Sequence, residues 1–208
     1  MSFSLFNRSF PFTGLIERQL KALQDAATLL DSVFRDFQDL SARCSQVRAI
    51  ATESEAAANE VTRQLALTFL KPDEKNDIFQ LNLALQDAML AVKNVSTRVG
   101  LYGCQFRKGA QSLTGLLLEM FSECARLVAN LMVANPNAEN LQKMRRLKEE
   151  AQMFLLVCLG ETYESEPQMP HDLLEVVKWG QIYDRLEESI ICASRIATIV
   201  EGIILKNV

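Results

Sequence analysis

Apolar residues recur three and four positions apart along almost the whole chain, and no run alternates convincingly at a period of two. That one regularity constrains the fold more than anything else in the sequence. A 3.6-residue period places such positions on one face of a helix, whereas a half-buried strand needs strict alternation. Ile16, Leu20, Leu23, Ala27, Leu30, Phe34 and Phe37 form a first stripe. Leu40, Cys44, Val47, Ala51, Ala58, Val61 and Leu65 form a second, ending near Phe69. A third runs through Ile78, Leu81, Leu85, Ala88, Val92, Val95 and Val99. The fourth holds Leu113, Leu117, Met120, Cys124, Leu127 and Leu131, and the fifth Leu141, Met144, Leu147, Ala151, Leu155 and Cys158. The last takes in Trp179, Ile182, Leu186, Ile190, Ala193, Ala197, Val200 and Ile204. Stripes of this length are the seams of long helices packed at shallow angles. The expectation is an all-α fold: six long helices in an elongated antiparallel bundle without a sheet.

The interruptions are punctuated by residues that stop helices. Pro72 breaks the second helix, with Asp73 a candidate cap for the third. Gly100 and Gly103 suit its C-terminal end, Asn135-Pro136 stops the fourth helix, Gly160 lies near the end of the fifth, and 164–170 reads as a loop. A weak internal repeat emerges. Helix, Pro-containing break and helix occur over Val47–Phe69, Pro72 and Asn76–Val99, and again over Met144–Tyr163, Pro170 and Val176–Val200. Leu85-Gln86-Asp87 in the first copy answers to Leu186-Glu187-Glu188 in the second. We therefore expect a single domain over 1–208, built of two three-helix units at about 12–103 and 104–208.

Composition removes several classes of function. At 208 residues and 49% hydrophobic, the chain can bury a substantial core. A formal charge of −4 argues against a general nucleic-acid binder. The five cysteines are widely spaced and odd in number, which suits reduced thiols used as small core residues in a cytoplasmic protein. No export signal or membrane-spanning stretch is read: Glu119, Glu123 and Arg126, and Arg195 and Glu201, interrupt the most apolar segments. The only histidine, His171, follows Pro170 in a loop, so zinc-protease and Glu-x-x-His di-iron designs lack their ligands. With no phosphate-binding Gly pattern and no Cys–His pair in prospect, the chain is not expected to be an enzyme, and no cofactor is expected.

Two surface features remain as candidate partner contacts. Phe3, Phe6, Phe10 and Phe12 crowd the N-terminal segment, either as a lid on the core or as a docking segment for a membrane protein or bilayer surface. Lys143, Arg145, Arg146 and Lys148 cluster on the fifth helix, either as a solvated face or as a contact for an acidic partner or phosphate.

Thr68-Phe69-Leu70-Lys71-Pro72, Asn76-Asp77-Ile78 and Leu85-Gln86-Asp87 resemble a signature of the PhoU-like phosphate transport regulators, also called Pit accessory proteins. The closing stretch Val177-Lys178-Trp179-Gly180-Gln181-Ile182-Tyr183, Leu186-Glu187-Glu188, Ala197 and Glu201-Gly202-Ile203-Ile204-Leu205-Lys206 resembles that family as well. The resemblance implies acidic pairs, four residues apart on four helices, that bind clustered iron or zinc. Carboxylates at i and i+4 point the same way and suit such ions.

Placed on this chain, the four pairs fall at Ala51 and Glu55, Gln86 and Leu90, Lys148 and Gln152, and Glu187 and Ile191. Glu55 and Glu187 keep a carboxylate, and Asp87 lies beside the second pair. A like-charge contact such as Lys148 against a cation costs on the order of 4 kcal/mol at about 4 Å and an effective ε near 20. Leu90 and Ile191 are expected to extend the apolar stripes, each adding roughly 1.5–3 kcal/mol if fully buried. No metal site is therefore expected.

The resemblance implies a cytoplasmic regulator or accessory of inorganic phosphate transport, in contact with a Pit-type transporter and peripheral to the inner face of the membrane. A homodimer is a further possibility for long striped helices. Alternatives are a carboxylate bundle that binds iron or zinc, or a scaffold that pairs with a metal-competent relative.

Overall fold

The computed structural model describes residues 12–36, 38–103, 108–133, 136–164 and 169–206. Six helices follow in order: α1 (Thr13–Arg35), α2 (Leu40–Leu67), α3 (Pro72–Tyr102), α4 (Lys108–Met132), α5 (Ala138–Tyr163) and α6 (Pro170–Lys206). No strand occurs among the described residues. The expected stripes become the core: Ile16, Val47, Leu81, Leu113, Leu147 and Ile190 each belong to one continuous buried cluster. Phe12 is also fully buried, whereas Phe3, Phe6 and Phe10 lie outside the described residues.

The helices pack in two triplets. Within each, every helix touches the other two; across them, α1 lies on α4 and α3 on α6. A few buried polar groups fix this arrangement, because a polar atom removed from water must find a partner or cost free energy. The Gln19 amide donates to Asn82 Oδ1 at 2.9 Å, and Asn82 Nδ2 donates to the Ala58 carbonyl at 3.2 Å, which joins α1, α3 and α2. The Thr114 hydroxyl donates to Asp31 at 3.0 Å, joining α4 to α1. The Cys124 thiol donates to the Ala193 carbonyl at 3.3 Å, joining α4 to α6.

Helix ends differ in detail from the sequence reading. Pro72 opens α3 rather than ending α2, which already stops at Leu67. A proline lacks the N–H that a first-turn residue leaves unbonded, and its φ is set for a helix. Asp73 consequently sits inside the first turn, where its charge suits the helix dipole, and Lys71 is the N-cap. Pro170 opens α6 in the same way, so that helix begins nine residues before Trp179. Gly160 lies inside α5, and Gly100 inside α3. Gly103, at φ +55°, is the left-handed residue that terminates α3. Phe69 is fully exposed beyond the end of α2.

Candidate functional site

Clefts open along the outer seams of both triplets: one of about 410 Å³ between α1 and α2, lined by Glu17, Arg18, Lys21, Asp25 and Glu53 among others, and two that hold positions singled out in the sequence. The α2–α3 cleft has a volume of about 220 Å³ and is lined by Ala51, Ser54, Glu55, Gln86, Asp87, Leu90 and Lys93, among others. Helical spacing explains the grouping, since 51 and 55 share a face of α2 and 86 and 90 share a face of α3. Asp87 does not stand alone there. Arg195 Nη1 on α6 donates to its carboxylate at 2.9 Å. The α5–α6 cleft, about 180 Å³, is lined by Leu141, Arg145, Lys148, Ser194, Thr198 and Glu201. Arg145 and Glu201 form an ion pair across it.

Comparisons with known proteins bear on these seams. No family model matches the chain. A protein of Rhizobium meliloti (strain 1021) assigned as a Pit accessory protein is 20% identical over 213 residues, spanning 98% of this chain and 99% of that one. A PhoU-like protein from Shewanella oneidensis MR-1 superposes with a TM-score of 0.82 at 12% identity, covering 94% of this chain and 100% of its own. A second protein of that organism, assigned as a PhoU-like phosphate regulatory protein, gives a TM-score of 0.78 at 12% identity over 92% and 95% of the two chains. The fold is PhoU-like.

The structure brings the first two pairs of the PhoU-like pattern into one cleft, but their side chains do not make a set of ion ligands. Glu55 is exposed, Asp87 is engaged by Arg195, and Leu90 and Lys93 complete the wall. In the other triplet Lys148 enters the α5–α6 cleft, while Glu187 is exposed and Ile191 lies outside that lining. Among the described residues, no three of His, Cys, Asp and Glu come together as a group that could hold a metal ion. A multinuclear centre needs several anionic oxygens to balance its charge. A donor set of one exposed glutamate, one aspartate already neutralised by arginine, and a lysine does not fit it.

One expectation is overturned. Leu90 and Ile191 do not extend the buried stripes: they are 50% and 53% exposed. Both stand on outward-facing positions of their helices, so the apolar side chain meets solvent and not the core. Packing gain is therefore not what these side chains contribute within one copy.

The basic cluster on α5 divides. Lys143 reaches Glu123 of α4 at 3.2 Å, Arg145 pairs with Glu201, and Arg146 is exposed without an ion pair among the described residues. Glu123 was legible only as an interruption of an apolar stretch; it is the most buried carboxylate of this region. Arg126 donates to it at 3.0 Å, and Asn140 and Lys143 also donate to it. Burial pushes its pKa up, but the hydrogen bonds from Asn140 and Lys143 and the nearby positive charge outweigh burial and hold it below the ordinary carboxylate value.

Sequence reasoning missed Arg195 as the partner of Asp87, because 108 positions separate them. His171 is exposed at the start of α6, beside Asp172 at 3.1 Å. Cys44, Cys124 and Cys158 are buried thiols, and Cys192 is half-buried. Burial, with Asp87 and Glu188 nearby, raises the Cys192 thiol to about 11, so it stays protonated near neutrality and is a poor nucleophile. Cys104 lies outside the described residues.

Proposed function

We propose that this protein is a non-enzymatic regulator or accessory of inorganic phosphate transport, acting by direct contact with a Pit-type transporter at the cytoplasmic face of the membrane and without a metal cluster. The observation that carries the reading is the end-to-end similarity to the Rhizobium Pit accessory protein, with 98% of one chain and 99% of the other aligned. Similarity over whole chains points to a shared role more than a shared segment does. The PhoU-like fold supports it. No helix among the described residues is long and apolar enough to cross a membrane, so contact with a transporter would be made from outside the bilayer.

The chemistry of the seams supports the metal-free part. Leu90, Ile191, Lys148 and the Asp87–Arg195 pair replace anionic oxygens with apolar groups or cations. What remains to act is surface shape and charge, the means by which helical proteins recognise partner segments. Co-purification tests the reading. A tagged Pit-type transporter, solubilised in mild detergent in the presence of a chelator, is expected to retain this protein at a fixed ratio through gel filtration. Failure to bind, or binding only when iron or zinc is restored, would contradict it.

A further inference from the structure

We propose that the outer groove between α5 and α6 docks a basic amphipathic helix of about four turns, carried on the cytoplasmic side of the transporter. This rests on the transporter contact proposed above and adds the surface and the chemistry of the segment it takes. Glu149, Met153, Leu156, Gly160 and Tyr163 follow one another four and three positions apart, so they share one face of α5. That face is turned away from the stripe that α5 buries, which runs through Met144, Leu147, Ala151, Leu155 and Cys158. Met153, Leu156 and Tyr163 on it are 65%, 63% and 64% exposed. On α6 the same spacing joins Val177, Gly180, Asp184, Glu187 and Ile191 into a second face, with Val177 and Ile191 about half exposed. The two helices run antiparallel. Arg145 pairs with Glu201 toward one end, and toward the other a Cβ at Gly180 would lie 2.8 Å from the Tyr163 hydroxyl. The two faces therefore meet along one seam. A Cβ at Gly160 would find nothing within 4 Å, which leaves a notch between Leu156 and Tyr163. Two faces of heptad spacing side by side are the surface into which a third helix packs. Singly exposed apolar residues are ordinary, but a row of them across two neighbouring helices is not.

Charge selects the occupant. Residues 149–191 hold ten acids and two bases, whereas the rest of the chain holds sixteen acids and twenty bases, so the negative charge of the protein gathers here. Both bases are already engaged, Lys178 by Glu175 and Arg185 by Glu188. Glu149, Glu150, Asp184 and Glu187 are exposed and make no ion pair among the described residues. Glu149 and Glu150 stand just before Met153, and Asp184 and Glu187 stand between Val177 and Ile191. An apolar row set among unpaired carboxylates matches an apolar ridge flanked by cations. Lysine and arginine stems on such a ridge lie over the apolar row while their charged ends reach the acids. The same face on a second copy would set acid against acid, and the anionic inner leaflet would repel it. A membrane transporter offers the matching segment for an independent reason, because cytoplasmic loops of membrane proteins are enriched in lysine and arginine.

Fluorescence anisotropy with the full chain tests the groove. The probe is a labelled peptide of about 15 residues, with leucine at the heptad a and d positions and lysine elsewhere. It is expected to bind, less tightly as salt rises, and its counterpart with glutamate in place of lysine is not. Met153→Gln with Leu156→Gln, and separately Glu149→Gln with Asp184→Asn and Glu187→Gln, should each weaken binding at least about tenfold. Neutralising Glu17, Glu53 and Glu139 to glutamine should not. All these positions are exposed, so helicity by circular dichroism should stay unchanged. Retention by the tagged transporter should fall with both groove variants. If the transporter holds the unaltered chain and the groove variants equally, the groove assignment is overturned while the transporter contact stands. If it holds none of them although the peptide binds as expected, the transporter contact fails, and with it the source of the segment. A lysine peptide bound no more tightly than its glutamate counterpart, or bound equally by control and groove variants, overturns the proposal. So does a groove substitution that changes the sedimentation of the protein alone and leaves peptide binding unmoved, since that places a second copy there.

Discussion

Glu123 shows how one side chain ties two helices together. Its carboxylate on α4 receives Asn140 and Lys143 from α5, with Arg126 closing the set from its own helix. Hydrogen bonds to a buried charge are worth more than neutral ones, so Glu123→Gln is expected to lower the unfolding free energy by about 1–3 kcal/mol at neutral pH. The pKa of Glu123 is lowered in the folded protein. Its contribution is therefore fully present above the ordinary glutamate value of about 4.3 and drains away as pH falls through the lower, folded value. Urea unfolding of both proteins should show their difference closing below about pH 4. A constant gap down to low pH would mean that the charge is not what stabilises.

Leu90 and Ile191 make the opposite case. Half exposed, each should lose less than about 0.5 kcal/mol on replacement by alanine in the monomer, whereas Leu186→Ala, at a fully buried position, should cost about 2–5 kcal/mol. Neither exposure was legible beforehand. Periodicity says which residues are apolar, and not which of two apolar stripes on a helix faces the core.

At the scale of the element, the six helices were legible because each buries a stripe of four or more turns, a signal too long to arise from local chance. Their ends were less so. Proline was read as a stop at Pro72 and as part of a break at Pro170, but both residues start helices, since the same ring that disrupts a helix interior fits its first turn. Gly103 was legible as an end, and its φ of +55° gives the reason. Any residue with a Cβ pays to adopt that conformation, so Gly103→Ala is expected to destabilise by about 1–2 kcal/mol in thermal melts. Gly109 is different in kind. A Cβ there would lie 2.6 Å from Cys158 Sγ, so α4 and α5 approach closely at this point. Nothing in the local sequence around Gly109 announces a partner on another helix.

At the scale of the whole molecule, the two triplets are joined along α3 and α6. Among the described residues, two ion pairs cross that seam: Arg195 with Asp87, and Lys206 with the largely buried Asp77. The registry of this seam was not legible, because pairs more than a hundred residues apart leave no periodic trace. The same limit explains the candidate site. The positions where the PhoU-like resemblance puts acidic pairs were readable, as were the residues that stand there. That Asp87 is neutralised from the other triplet, and that the replacements face solvent, required the fold.

The central claim is that the chain works through its surfaces and not through bound ions. Metal content tests it most directly. The untagged protein, purified from cells grown with ample iron and zinc and without chelators, should carry far less than one equivalent of either metal by mass spectrometry, and its melting temperature should not move when EDTA is added. Two or more equivalents per chain, lost together with helical structure on chelation, would contradict the account.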